Sequence, residues 1–155
     1  MKRDVAMSLD AGQFDDQYKR LWDDVAWLHL VWDVCGELFG EQDRVDLLNG
    51  VARGFFRQVQ GTFYDHIILQ IARLTDKPAT GKYKNLTLQT LLRHCGSPQH
   101  LEDALSKVNL ACAPLRRIRD KRLAHLDLDV ATQVKQFPTA TRDEVDAALQ
   151  AIRDF

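Results

Sequence analysis

Hydrophobic side chains recur along this chain at the three- and four-residue steps of an α-helix. Phe14, Tyr18, Leu21, Val25, Leu28, Trp32, Cys35 and Phe39 form a first stripe, which predicts a helix over about 14–38. A second stripe runs through Val45, Leu48, Ala52, Phe55, Val59, Phe63, Ile67, Ile71 and Leu74 and predicts a helix over about 43–75. Glycines 50, 54 and 61 lie inside it; each costs roughly 1 kcal/mol relative to alanine, so the expectation is that another helix approaches closely there. Pro78, Gly81 and Lys82-Tyr83-Lys84 read as a loop, after which Asn85 or Thr87 caps a short helix of about 86–94. Gly96-Ser97-Pro98 reads as a stop and a restart, with Ser97 as cap and Pro98 in the first turn.

The next stripe is Leu101, Leu105, Val108, Cys112 and Leu115, with Pro114 expected to kink or split the helix. Thr141 and Glu144 have capping-box spacing before a last helix, about 142–153, which carries Val145, Leu149 and Ile152. No repeat and no convincing strand pattern is present. The fold class this predicts is all-α, an antiparallel bundle of about five helices. With 155 residues, 45% of them hydrophobic, a single domain over 1–155 is expected, its core at about 14–127 and followed by the C-terminal helix.

The longest apolar run, Val25 to Trp32, contains His29, so a membrane partner is not expected and the chain reads as cytoplasmic. Cys35, Cys95 and Cys112 are odd in number and widely spaced, which suits free, mostly buried thiols. The net charge of −1 hides an uneven distribution. Residues 1–43 carry four basic and ten acidic side chains, residues 44–125 fourteen and six, and residues 126–155 three and six. The basic excess peaks at Arg116, Arg117, Arg119, Lys121 and Arg122, interrupted only by Asp120. A polyanion would be drawn there first.

Beyond Leu115 the same helical steps reach Arg119 and Arg122, with His125 close behind. An apolar seam thus turns cationic. Unpaired guanidinium groups are too costly to bury, so the seam must open into a polar cleft, meet carboxylates or face another subunit. Asp76 is a candidate partner for Arg119, Arg122 or Arg73.

Arg119-Asp120-Lys121-Arg122-Leu123-Ala124-His125 resembles the signature of the HEPN superfamily: an arginine, a polar residue, a few further positions, then histidine. With Ala124-His125-Leu126-Asp127, Ala72-Arg73-Leu74-Thr75-Asp76 and Asn85-Leu86-Thr87-Leu88, the chain looks most like the abortive-infection, AbiU-like branch. The likeness spans about residues 14–127 and its specific part is about ten residues long. It implies a metal-independent endoribonuclease of a toxin or phage-defence type, with no cofactor. Arg119 and His125 would be catalytic. Asp120, Lys121, Arg122, Arg116, Arg117, Arg73, Asp76 and Asp127 would support them or bind RNA.

In the implied reaction the ribose 2′-hydroxyl attacks the adjacent phosphate, His125 moves the proton and Arg119 neutralises the phosphorane. The cations around His125 are expected to lower its pKa and leave more neutral base. Where the related toxins paired with a nucleotidyltransferase antitoxin carry a tyrosine two residues past the histidine, this chain has Asp127. The expected partners are RNA, a second copy of the chain, and an antitoxin or other regulatory protein. On a straight helix of about 100° per residue, Arg119 and His125 point about 120° apart, so a homodimer is expected to bring two motifs to one cleft. The alternative is a non-catalytic helical protein that binds RNA, nucleotide or an acidic partner. Arg93 and His100 fit the same loose spacing but straddle Gly96-Ser97-Pro98, and His94, Cys95 and His100 lack paired metal-ligand spacing. No phosphate-binding glycine loop, zinc-protease motif or nucleophile elbow is present.

Overall fold

The computed structural model describes residues 11–124 and 139–155. Among them are five α-helices: α1 (Ala11–Phe39), α2 (Gln42–Thr75), α3 (Leu88–His94), α4 (Gln99–Ile118) and α5 (Arg142–Arg153). The protein is an all-α bundle of the expected kind. Two residues, Gly40 and Glu41, reverse the chain between α1 and α2, so these helices pack as an antiparallel pair. α4 lies against both α2 and α5. One buried cluster draws on all five helices: Leu28 and Trp32, Ile67 and Ile71, Leu91, Val108 and Leu115, Val145 and Leu149 among others. These residues recur at three- and four-residue steps because that spacing keeps side chains on one helix face.

Several expectations need correction. The first half of the α2 stripe is not core: no residue of α2 before Ile67 is buried, and Phe55 is 64% exposed. A break in helical geometry at Ala52 (φ −157°, ψ 72°) interrupts the stripe there. The glycines of α2 do not serve a close approach either, since a Cβ at Gly50, Gly54 or Gly61 would meet nothing within 4 Å. Tyr18, placed in the α1 stripe, is exposed and stacks on Phe14.

Pro114 does not split its helix. It sits on the exposed side of α4, as does Leu110 four residues back, where water can solvate the carbonyl that the proline leaves without a donor. Ser97 is not the cap of α4 but a left-handed residue (φ 50°) following Gly96 (φ 74°). Its N–H reaches back to the Leu92 carbonyl at 3.0 Å and so closes α3. Pro98 takes the capping position. Thr87, by contrast, does cap α3, accepting from the Thr90 N–H. The expected loop around Gly81 holds a short antiparallel hairpin, β1 (Ala79–Thr80) with β2 (Tyr83–Lys84). Two-residue strands are too short to leave a period-two signal.

α5 matches its expected bounds. Its capping box is complete, with Thr141 Oγ1 accepting from the Glu144 N–H and the Glu144 carboxylate accepting from the Thr141 N–H. The Arg142 guanidinium stacks over the Trp32 ring at 5.3 Å. It lies where a Cβ on Gly36 would fall, 2.8 Å from Nη2. Among the described residues no helix is long and apolar enough to cross a membrane.

Candidate functional site at the end of α4

The C-terminal ends of α2 and α4 meet, and their last residues form a charged cluster. Ile118 is the last buried residue of the α4 seam. Immediately after it the chain leaves α geometry for one π-helical turn, Arg119–Leu123, in which the Ala124 N–H donates to the Arg119 carbonyl at 2.8 Å. Such turns insert an extra residue into a helix and recur at functional sites. The straight helix assumed in estimating a 120° angle between Arg119 and His125 is therefore not what the chain adopts.

The cationic seam meets carboxylates. Arg119 makes a two-pronged contact with Asp76, Nη1 to Oδ2 at 2.9 Å and Nη2 to Oδ1 at 2.8 Å. Asp76 stands at the C-terminal cap of α2. Arg119 Nε lies 2.7 Å from Asp120 Oδ1, a charge contact whose angle is too poor for a hydrogen bond. The Arg119 side chain is 22% exposed. Hydrogen bonding to Asp76, opposed by burial and assisted by the charges of Asp76 and Asp120, raises its pKa further. The guanidinium therefore stays charged in a partly dry setting.

Arg116 donates to the Thr75 carbonyl at 3.4 Å and to the Asn109 carbonyl at 2.9 Å, which places a cation at the negative end of α2. Of the three partners considered for Asp76, the structure selects Arg119. Arg122 pairs instead with Asp65 on α2, and Arg73 donates to Gln70 Oε1. Asp65 had no sequence signal, since nothing in its local pattern marks a contact across 57 residues. Arg117, Asp120 and Lys121 are exposed. His125 and Asp127 lie outside the described residues, so the pKa expectation for His125 has no counterpart in the structure. His94 and His100 make no metal cluster, and no group of metal-type ligands is found among the described residues.

Beside the Arg119–Asp76 pair opens a cleft of about 500 Å³. α1 contributes Arg20 and Asp24, α2 contributes Gln70, Arg73, Leu74 and Asp76, and the hairpin and its exit contribute Thr80, Lys84, Asn85 and Leu86. Arg73 and Gln70 both line the cleft. Tyr64 meets the Trp32 ring edge-on at 5.5 Å, and neither it nor His66 is part of the lining. Arg20 and Lys84 were not foreseen, because only the tertiary fold brings α1 and the hairpin to the same wall as the end of α2.

A bundle in which an arginine, held by the preceding helix end, opens a turn leading into Ala124-His125 is a helical domain of HEPN type. The family model of AbiU2, a HEPN family, matches residues 12–155, and the chain belongs to that family. It is thus a HEPN protein of the abortive-infection kind. Neither the curated proteins nor the solved structures provide a match.

Proposed function

We propose that the protein is a metal-independent endoribonuclease that cleaves RNA by 2′-hydroxyl attack, with Arg119 and His125 as its catalytic pair. The supporting observation is the state of Arg119: charged, partly buried, and fixed by a two-pronged contact to Asp76. A guanidinium has five N–H donors. Asp76 takes one from each terminal nitrogen, and the remaining ones point to opposite edges of the group, so a phosphate would take one of these. A positioned cation of this kind stabilises the charge of a phosphorane without reorganising when the charge develops. His125, six residues on, would move the proton. Arg116, Arg117, Lys121 and Arg122 supply the local cationic field, and Asp76 and Asp120 hold Arg119 in place.

The reading includes a cytoplasmic homodimer. Strand scission needs a neutral base and a protonated acid at once, and two His125 side chains from two chains can divide those roles. RNA is the substrate, and an antitoxin or other regulatory protein is the expected restraint. The alternative is a protein that binds without cutting. One observation favours it: Arg119 and Arg122 are both already engaged by carboxylates.

The test is purified protein incubated with single-stranded RNA in EDTA. Cleavage is expected, leaving 2′,3′-cyclic phosphate and 5′-hydroxyl ends. His125→Ala should abolish it with helical circular dichroism unchanged, and Arg119→Ala should cost more activity than Arg122→Lys. Undiminished cleavage by His125→Ala would remove this mechanism.

A further inference from the structure

The cleft beside Asp76 has a composition that the catalytic pair does not account for. Its volume of about 500 Å³ lies in the range of small-ligand sites. One of its cations and both of its carboxylates are already paired, Arg20 with Asp24 at 3.1 Å and Asp76 with Arg119. Arg73 and Lys84 are not. Arg73 bonds only the neutral Gln70 amide, and neither residue forms an ion pair with a carboxylate among the described residues. The cleft therefore offers two uncompensated cations from different elements, α2 and β2, which draw an anionic group to it.

The rest of the lining is of another character. Leu74 is buried and Leu86 only partly so, which leaves Leu86 as the apolar side chain facing outward from this part of the core. Asn85 is held by its own bonds, its Nδ2 donating to the Lys77 carbonyl at 2.9 Å and to Thr80 Oγ1 at 3.1 Å. Its side-chain oxygen is thereby oriented as an acceptor. Gln70 Oε1 accepts from Arg73, which leaves the Gln70 amide nitrogen as a donor. A pair of uncompensated cations next to a partly exposed leucine, one fixed acceptor and one donor matches the two halves of a nucleotide, phosphate and base.

We propose that this cleft binds one nucleotide of a single-stranded RNA, the unit next to the scissile phosphate, with Lys84 and Arg73 on its phosphate and Asn85 and Gln70 on its base. This rests on the ribonuclease reading for what lies beside it. Asp76 is both part of the wall of the cleft and the anchor of Arg119, so a nucleotide seated in the cleft is one side chain away from the Arg119 guanidinium. A strand is favoured over a free nucleotide because the cleft is open and has only two uncompensated cations, too few to hold a polyphosphate alone.

The experiment measures binding of a labelled short single-stranded oligoribonucleotide to the full chain carrying His125→Ala, across a salt series, with Lys84→Ala, Arg73→Ala and the remote Lys107→Ala added in turn. Lys84→Ala and Arg73→Ala should each weaken binding about tenfold at low salt and reduce the slope of log K against log salt, the two together by about 0.7, the value for one phosphate contact on a single strand. Lys107→Ala, on the exposed side of α4, should change neither. A loss of structure would show in circular dichroism and would not move the salt slope by one contact. Unchanged affinity and slope in both cleft variants overturns the proposal, as does absence of RNA binding. Adenosine monophosphate that binds as tightly as the strand, with the same dependence on Lys84, overturns the strand and makes the cleft a free-nucleotide site. RNA binding that depends on Lys84 in a wild-type protein that does not cut supports the cleft and removes the ribonuclease reading. Cleavage with Lys84-independent binding does the reverse.

Discussion

His29 shows how a single residue records its surroundings. It sits on α1, with Nε2 buried and without a hydrogen-bond partner among the described groups. Burial, and then the charge of Arg153, lower its pKa below the ordinary value of 6.5, and Asp33 opposes them only in part. The sign of the consequence follows. The folded state resists protonation, so as pH falls through about 6.5 the unfolded state takes up the proton first and stability is lost. His29→Gln should remove this component: denaturant midpoints of wild type and variant should diverge between about pH 7.5 and 5.5, the wild type falling faster. Parallel midpoints would show that His29 titrates alike in both states. Arg119 is the opposite case, since its partners hold the charged form and it does not switch with pH.

At the scale of the element, glycines that look alike in the sequence differ in what they do. At Gly40 a Cβ would fall 2.4 Å from the Gly36 carbonyl oxygen, the same oxygen that accepts the Gly40 N–H at 2.8 Å. The end of α1 is therefore closed by a backbone approach that any larger residue obstructs. At Gly61, inside α2, a Cβ meets nothing. Gly40→Ala should destabilise by about 1–3 kcal/mol, while Gly61→Ala should stabilise by about 0.5–1 kcal/mol, raising the melting temperature by a few degrees. Thermal melts of the two variants check both signs. A Gly61→Ala variant less stable than wild type would mean that something absent from the described residues packs on that face. The π-helical turn is the other element whose role is local. It re-aims the residues after Ile118, so the direction of His125 cannot be taken from the α4 axis.

For the whole molecule, the proposed shared cleft makes a quantitative statement about assembly. Wild-type and His125→Ala chains, mixed and allowed to exchange, should lose activity as the square of the wild-type fraction, to roughly a quarter at equal mixing, if one cleft needs both histidines. Independent sites would leave roughly half. A linear decline, or a monomer that cuts at full rate, would sink the shared cleft and leave the residue-level chemistry to a single chain.

The sequence by itself determined what short-range physics controls. Helix bounds followed from side chains and caps within a few residues, as at α5, where Thr141 and Glu144 set the start. The core faces of α1, α4 and α5 followed from the 3.6-residue period. The change from apolar to cationic at the end of α4 was legible for the same reason, and with it the requirement that the seam open into a polar cleft, meet carboxylates or face another subunit; the structure shows carboxylates. Which carboxylates meet it was not legible. Asp76 and Arg119 are 43 positions apart, Asp65 and Arg122 are 57, and only the packing of α4 on α2 chooses between pairings of equal chemical merit. The placement of α1 and the hairpin beside the end of α2 likewise brought Arg20 and Lys84 to one cleft. The break at Ala52, with no buried residue of α2 before Ile67, left Phe55 in solvent although it continues the stripe. Periodicity says which face a residue shares, but burial depends on whether another element covers that face, and only the tertiary structure decides that.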